Sequence, residues 1–493
     1  MFSSLPPVFE NQMEQQIGSA SFEAFKTALL LDAAPTTVQL HPVKLKSLTN
    51  EQQIAFSPDH AVPWYSKYGR VLMQRPSFAH DPLWHAGAYY AQEAASMFLG
   101  FVLQQLQLQE QWPKTPVILD ACAAPGGKSW LAANFLQNRG LLVCNETIQG
   151  RLGVLTENIC KAGWANTMVT NAELSKFAGL GNFFDLVILD APCSGEGLFR
   201  KDPSAMQQWS LQQVGFCAAR QKSLLSDVEP LVKPGGYLIY STCTFNKTEN
   251  EHQIAQFLAT HPQWSIFKLP NIDPNWSITA GDNDLGYRFY PHCTIGEGFY
   301  LAVLYKNPDA PARQASFPEN EKNARAYIAT SKSSGNKKKN QKHSKTFGAP
   351  PQAQVQQWLS WIAPAFEPYI FYNLPTQTWH LLPQDCANHA LAVQATVRVK
   401  KIGIELGQIA PSKGILLPAH DLALSVQTLR PDLPCLDLPL PNALQYLRRE
   451  TLTQTNYPEG QFLVTYQNLP LGWANGLQNR INNGYPMAYR LRK

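Results

Sequence analysis

Between residues 115 and 305 short apolar runs alternate with amphipathic stretches, and this alternation restricts the fold more than any other feature of the chain. Val117-Ile118-Leu119, Leu141–Cys144, Leu186–Leu189 and Tyr237–Tyr240 are too short for buried helices and read as strands. Between them, Ser129–Gln137, Leu155–Lys161 and Leu211–Leu231 carry helical patterns, the last expected to stop at Lys233-Pro234-Gly235-Gly236. Glu249–His261 reads as a further helix and Phe299–Tyr305 as a late strand. Strands separated by helices predict an α/β fold, a mostly parallel sheet covered by helices on both faces. Ligands of such sheets sit at the carboxyl ends of the strands, so the chemistry is expected there.

The alternating block, residues 111–306, is flanked by segments of different character. Residues 1–110 carry helical patterns at Phe22–Leu31 and Tyr90–Leu106. Residues 307–352 are rich in Pro, Ser, Asn and Lys and read as a basic linker, with Lys332, Lys337, Lys338, Lys339, Lys342 and Lys345 and no acid among them. Residues 353–493 return to a globular composition and are expected to form a separate small α/β unit on a mobile tether. The net charge of +5 is compatible with a polyanionic partner. No signal peptide and no membrane-spanning run is legible. Nine cysteines without regular spacing, no CxxC pair and no Cys/His cluster argue against disulfides and against a metal site, and for a reducing compartment such as the cytoplasm.

Three motifs stand at strand ends. Asp120-Ala121-Cys122-Ala123-Ala124-Pro125-Gly126-Gly127-Lys128-Ser129 leaves the first strand and enters a helix through two glycines, a turn that lets backbone N–H groups approach a ligand. Its Gly-Lys-Ser ending imitates a P-loop, but Cys122 occupies the position where that loop needs its first glycine. Glu146, about 20 residues on and just past the second strand, is placed as a ribose-binding acid would be. Together they point to an adenosine-containing cofactor. Asp190-Ala191-Pro192-Cys193 and Thr242-Cys243 end the next two strands, so two thiols are expected to converge on one cleft. Thiols beside a carboxylate suit pyrimidine modification. A thiolate adding at C6 of cytosine makes C5 nucleophilic enough to attack a methyl group. Lys128 is the candidate cation for stabilising that thiolate. Position alone does not rank the two thiols. Asp190 lies three residues before Cys193 and is expected to raise its pKa, which leaves Cys243 the easier to ionise.

The three motifs resemble those of the Sun-type RNA (cytosine-5) methyltransferases, and the likeness runs from about Leu5 to Ala302. It implies a Rossmann-like, S-adenosyl-methionine-dependent methyltransferase sheet of seven strands, one of them antiparallel, with Phe299–Tyr305 the candidate. It implies S-adenosyl-L-methionine as cofactor, held by Cys122–Lys128 and Glu146, with Asp190 as the acid before Pro-Cys. It implies Cys243 as nucleophile and Cys193 as the thiol that assists release. Arg288-Phe289-Tyr290-Pro291-His292 and Gly296-Glu297-Gly298-Phe299 resemble two further family signatures, and Trp84–Met97 the segment before the catalytic domain. Leu471-Gly472-Trp473 and Tyr485-Pro486 are similar to the small PUA-like RNA-binding domain of the bacterial 16S ribosomal RNA methyltransferase F group. The flanks 1–110 and 353–493 are then RNA-binding regions around a catalytic domain.

Two positions depart from the family pattern. Gln39-Leu40-His41 stands where most relatives have Arg-x-Asn. Thr170-Asn171-Ala172-Glu173 stands where many have an aspartate near the adenine, with Glu173 the preferred candidate and Asn171 the alternative. Arg200, Lys201, Arg288 and His292 are the candidate RNA contacts, joined by the linker lysines and by Arg490, Arg492 and Lys493. The expected partner is RNA, with 16S rRNA first, and the chain is expected to act as a monomer. The competing readings are a tRNA or DNA cytosine-5 methyltransferase and a non-catalytic ribosome-assembly binder. Carrying both Cys193 and Cys243 favours RNA over DNA, since DNA enzymes of this chemistry generally lack the Thr-Cys thiol.

Overall fold

In the computed structural model, which describes residues 5–47, 56–311, 347–348, 352–373, 377–410, 414–454 and 456–492, the N-terminal region is two helices and a small sheet. The linker lysines named above and Lys493 lie outside the described residues. The helices Pro7–Ile17 and Ser19–Leu30 are joined through Gly18, whose positive φ of 80° turns the chain between them. They bury Phe9, Phe22 and Phe25. The strands β1 (Thr36–Leu40), β2 (Gly69–Leu72) and β3 (Tyr89–Ala91) form an antiparallel sheet with β1 central. The expected helix over Tyr90–Leu106 therefore begins late, at Phe98, and ends at Gln107. Residues 89–91 are drawn into pairing with β1, a tertiary contact that overrides local pattern.

The strands of the middle region are β4 (Val117–Asp120), β5 (Leu141–Asn145), β6 (Thr167–Thr170), β7 (Phe184–Asp190) and β8 (Val232–Thr242). They are followed by β9 (Trp264–Ile266), β10 (Thr279–Ala280), β11 (Tyr287–Phe289) and β12 (Phe299–Lys306). The order β6-β5-β4-β7-β8-β12-β11 is the expected seven-stranded frame. Five strands from β6 to β8 run parallel, and β12 is antiparallel to both β8 and β11, so it alone is reversed within the seven. The helices Phe98–Gln107, Gly127–Leu136 and Leu152–Ala162 cover one face through Phe98, Trp130 and Leu155. The helices Leu211–Val228 and Glu251–Thr260 cover the other through Leu224, Leu225 and Ile254. Leu211–Val228 starts at Ser210, whose hydroxyl accepts from the Gln213 N–H, and buries a stripe at three- and four-residue spacing. It ends three residues short of the expected Leu231, and β8 begins at Val232, five residues before Tyr237. The Lys-Pro-Gly-Gly segment is absorbed as an irregularity in the pairing of β8 with β7.

The frame is wider than expected. β9 and β10 extend it on the β12 side, and the opposite edge is closed by a strand from the C-terminal part. That part contributes β13 (Phe347–Gly348), β14 (Pro368–Asn373), β15 (Thr378–Pro383), β16 (Val399–Ile402), β17 (Ile404–Ile409) and β18 (Leu416–Pro418). β16 pairs antiparallel with β6 and makes the sheet ten-stranded. A second unit of β19 (Cys435–Asp437), β20 (Gly460–Tyr466), β21 (Leu469–Leu477) and β22 (Arg480–Asn483) forms its own sheet. Its Tyr446, Leu471 and Tyr485 share one hydrophobic cluster with Val38, Leu40 and Tyr89 of the N-terminal region. The expected detached unit is thus corrected: β16 protects an edge that would otherwise be open, and the apolar faces of the two terminal regions cover each other. Among the described residues no helix is long and apolar enough to cross a membrane.

Lys44 marks the seam between the N-terminal region and the central block. Its ammonium donates to the carbonyls of Ala86 and Lys161, both at 2.8 Å, and burial pulls its pKa from 10.5 to about 7. The unfolded lysine keeps its proton to a higher pH than the folded one. The cost of burying the charge is therefore full below pH 7 and is relieved as pH rises toward 10.5. Relative to Lys44→Met, the wild-type protein should gain stability between about pH 7 and 9.5 in urea unfolding midpoints. A difference that does not change with pH refutes this.

Candidate active site

The carboxyl ends of β4, β5 and β6 are stitched together by side chains. Asn145 donates to the carbonyls of Ala121 and Ala172 and accepts from Thr170 and from the Ala172 N–H. The loop that follows β4 is held at its base by Asp120, which is fully buried and accepts from Ser129 at 2.6 Å. Burial raises the Asp120 carboxyl to about 7, with Asp190 adding to the shift. Gly126 caps the next helix at a φ of 115°, which a side chain resists. The loop opens into a cleft of about 210 Å³ lined by Cys122, Ala123, Ala124, Pro125, Gly127, Lys128 and Asp190, with Tyr90–Glu93 as the opposite wall. Burial pushes the Cys122 thiol up to about 12, which disfavours its thiolate.

Glu146 is 4% exposed. Its Oε1 accepts from the Ile148 N–H, while Oε2 lies 3.1 Å from Arg151 yet makes no hydrogen bond. Asn171 donates its side-chain amide to the carbonyls of Glu146 and Thr147, so it shapes this turn, and Glu173 is exposed. Gln39, on β1, reaches across to the Gly127 carbonyl at 3.0 Å and also donates to Gln92. The N-terminal sheet thereby contacts the glycine turn directly. The departure at Gln39–His41 is filled by contacts of its own, since His41 also bonds the Ala162 carbonyl at 3.0 Å.

The two thiols meet. Cys193 Sγ lies 3.1 Å from Cys243 Sγ; both cysteines are free and partly exposed. That separation is far longer than the roughly 2.05 Å of a disulfide, so the pair is a dithiol site. Lys128 stands beside it, 2.8 Å from Asp190 and with its ammonium 5.1 Å from the Phe299 ring centre. Burial alone would depress the lysine, but the Asp190 carboxylate outweighs it and holds the ammonium above its usual pKa. Asp190 also accepts from Ser241 at 2.8 Å, which ties the end of β7 to β8. The Cys193 thiol is raised well above its usual value by its hydrogen bond to Cys243, then by burial, then by the charges of Cys243 and Glu249. The direction is the expected one, but the acid differs: Glu249 from the far loop bears on Cys193, because Asp190 is turned to Lys128 and Ser241.

Sequence reasoning gave no role to two buried carboxylates beside the thiols. Glu196 accepts from the N–H groups of Phe245 and Asn246 and from Trp209. Glu249 accepts from the N–H and hydroxyl of Ser194 and from Gln221. Both lie within the motif loops, but a glutamate there reads as surface charge until the partner loop is placed. The N-terminal helices close over these loops, with Phe25 5.0 Å from Phe245 and Phe9 5.1 Å from Phe199. Among the described residues no cluster of His, Cys, Asp and Glu is arranged to hold a metal ion.

The candidate RNA contacts divide. Arg288 is a correction: it is buried in a double hydrogen bond to Glu251 and also donates to the Phe245 carbonyl, so it braces the Thr-Cys loop from inside. Arg200 directs its N–H groups to the carbonyls of Asp32, Ala33 and Gly296, which joins the N-terminal helices to the Gly-Glu-Gly-Phe turn. Lys201 is exposed and lies 3.3 Å from the buried Glu297. His292 is half-buried against Phe25 and Tyr290. Arg490 and Arg492 are exposed.

Three family models match the chain. Residues 105–305 match "16S rRNA methyltransferase RsmB/F", residues 5–94 the "N-terminal domain of 16S rRNA methyltransferase RsmF", and residues 434–491 the "Methyltransferase RsmF PUA domain". Ribosomal RNA small subunit methyltransferase F of Shewanella loihica is 31% identical over 414 residues, which cover 81% of this chain and 77% of the relative. The protein of the same name from Erwinia tasmaniensis is 27% identical over 503 residues, covering 98% and 96%. Among solved structures, a methyltransferase homolog from Pyrococcus horikoshii superposes with a TM-score of 0.50 at 24% identity, over 61% of this chain and 94% of that one. The structure of NSun6 from Pyrococcus horikoshii with SFG superposes with a TM-score of 0.50 at 19% identity, over 61% and 98%. These two likenesses bear on the fold alone.

Proposed function

From the premise that the chain belongs to the ribosomal RNA small subunit methyltransferase F family, we propose that it methylates a cytosine of 16S rRNA through a covalent adduct with Cys243. Membership makes it an S-adenosyl-L-methionine-dependent RNA methyltransferase of cytosine-5 type. The residues present fit that cofactor. Glu146 offers a buried carboxylate oxygen without a hydrogen-bond partner at the position of a ribose acid. When bound, S-adenosyl-L-methionine supplies the electrophilic methyl carbon.

The observation that carries the covalent reading is the 3.1 Å approach of Cys193 and Cys243 beside Lys128 and Asp190. The Cys243 thiolate adds to C6, forming an S–C6 bond and moving the electron pair toward C5, which would then take the methyl group as the bound sulfonium's S–CH3 bond breaks and its sulfur is left as a neutral thioether. Lys128 stabilises the thiolate by charge. A base then takes the C5 proton, the C–H electron pair restores the C5–C6 double bond, and the Cys243 sulfur departs as thiolate. Cys193, kept as a thiol, serves this second half by donating a hydrogen bond to the departing Cys243 sulfur. The target base must leave its stack to reach a site between two loops, so a looped or locally opened RNA is expected. We assign residues 1–110 and 353–493 as RNA-binding flanks of the catalytic domain 111–306. Lys201, His292, Arg490 and Arg492 are the RNA-facing candidates among the described residues.

Bisulfite sequencing of rRNA from a deletion strain and its parent tests the reading. One 16S rRNA cytosine should lose its protection in the deletion strain, and an unchanged rRNA pattern refutes the substrate. Glu146→Ala should weaken S-adenosyl-L-methionine binding by about 1.5–3 kcal/mol through loss of charge-assisted hydrogen bonds. Unchanged affinity in calorimetry removes Glu146 from the site.

A further inference from the structure

The loops after β7 and β8 exchange carboxylates. Glu196 leaves the Pro-Cys loop and accepts from the N–H groups of Phe245 and Asn246, two and three residues past Cys243, at 2.7 and 2.9 Å. Glu249 leaves the segment after Thr-Cys and returns to the N–H of Ser194, next to Cys193, at 3.0 Å, and to its hydroxyl. Both glutamates are fully buried. The Asn246 amide donates to both, at 2.9 Å to Glu196 and 2.7 Å to Glu249. Trp209 anchors Glu196 at 3.0 Å, and Gln221 anchors Glu249 at 2.8 Å. Gly197 N–H donates to the Cys243 carbonyl at 2.9 Å, so the backbones are joined as well.

We infer that Glu196 and Glu249 are positioning residues with separate duties: Glu196 aims the Cys243 loop for addition to the base, and Glu249 aims the Cys193 loop for resolution of the adduct. The inference rests on the covalent reading above. Its physical basis is the crossed arrangement. Neither glutamate lines the cofactor cleft. Each holds the backbone next to the thiol of the other loop, and buried carboxylates accepting several N–H bonds fix a loop more tightly than apolar packing does. Glu249 also contributes to keeping Cys193 in its thiol form.

The test is a single-turnover reaction of the full chain with a 16S rRNA transcript and S-adenosyl-L-methionine, following the protein–RNA adduct on a denaturing gel. Glu249→Gln should form the adduct at near the wild-type rate but resolve it about tenfold to hundredfold more slowly, the scale of a misplaced group. Glu196→Gln should show the reverse, with addition slowed about tenfold to hundredfold and resolution retained. Ser194→Ala, which removes only a hydroxyl on the Glu249 side, should give a smaller resolution defect of the same kind. Calorimetry with S-adenosyl-L-methionine should give wild-type affinity for all three, which shows that they fold. A Glu196 or Glu249 variant that slows both steps alike, or neither, overturns the inference. If Cys193→Ala itself yields no adduct, the covalent reading fails first and takes this inference with it.

Discussion

Cys243→Ala is expected to abolish methylation, by on the order of 10⁴-fold or more, and to leave no protein–RNA adduct, because the neighbouring thiol, Cys193, keeps its proton and is a poor nucleophile. Cys193→Ala is expected to let the adduct form and then persist, visible as a slow band on a denaturing gel. The opposed outcomes follow from the site. The sulfurs are 3.1 Å apart, so position does not distinguish them. What does is that Cys193 is held as a thiol by its bond to Cys243, by burial and by Glu249. A thiol that keeps its proton is a poor nucleophile. If the adduct instead vanishes in Cys193→Ala and accumulates in Cys243→Ala, the roles are exchanged and the DNA-type mechanism fits better.

Arg288→Met should be the most destabilising of the single changes considered. Arg288 and Glu251 are 4% and 3% exposed. Removing the guanidinium leaves a buried carboxylate unpaired, a loss of about 3–5 kcal/mol. The Phe245 carbonyl, beside the Thr-Cys loop, loses a donor at the same time and keeps Gln16. Thermal unfolding should move down clearly, and methylation should fall with it. The salt dependence of RNA affinity should not change, because Arg288 neutralises no phosphate. The double variant Arg288→Met with Glu251→Leu should recover part of the stability, since no charge is then stranded. A stable Arg288→Met protein with a flatter salt slope would return Arg288 to the RNA surface.

Much of the frame was legible because its signals are local. β4, β5, β7, the core of β8 and β12 each appear as an apolar run, and the reversed strand lies where expected, at Phe299–Lys306. The motif loops stand at strand ends, so Lys128, Asp190, Cys193 and Cys243 come together. What was not legible depended on a partner distant in sequence. Tyr90 and Ala91 look helical until β1 pairs with them. Arg288 looks like a surface cation until Glu251 is placed against it. Glu249 is ordinary in sequence, yet it supplies the charge near Cys193 that sequence proximity assigned to Asp190. The attachment of the C-terminal part was hidden for the same reason. β16 is four residues long, and its place at the edge of the central sheet depends on β6, more than 200 residues earlier.

The sequence by itself determined the parallel α/β frame, the glycine turn with its lysine, and the presence of two thiols at neighbouring strand ends. Periodicity and turn chemistry act over a few residues and need no knowledge of the rest of the chain. Only the tertiary structure decided the electrostatics of the site. Which carboxylate faces which thiol, which arginine is buried, and which amides a glutamate satisfies depend on distances of 3 Å between loops about 50 residues apart. Charge interactions and hydrogen bonds at that range are set by packing of the two loops against Trp209, Gln221 and the N-terminal helices.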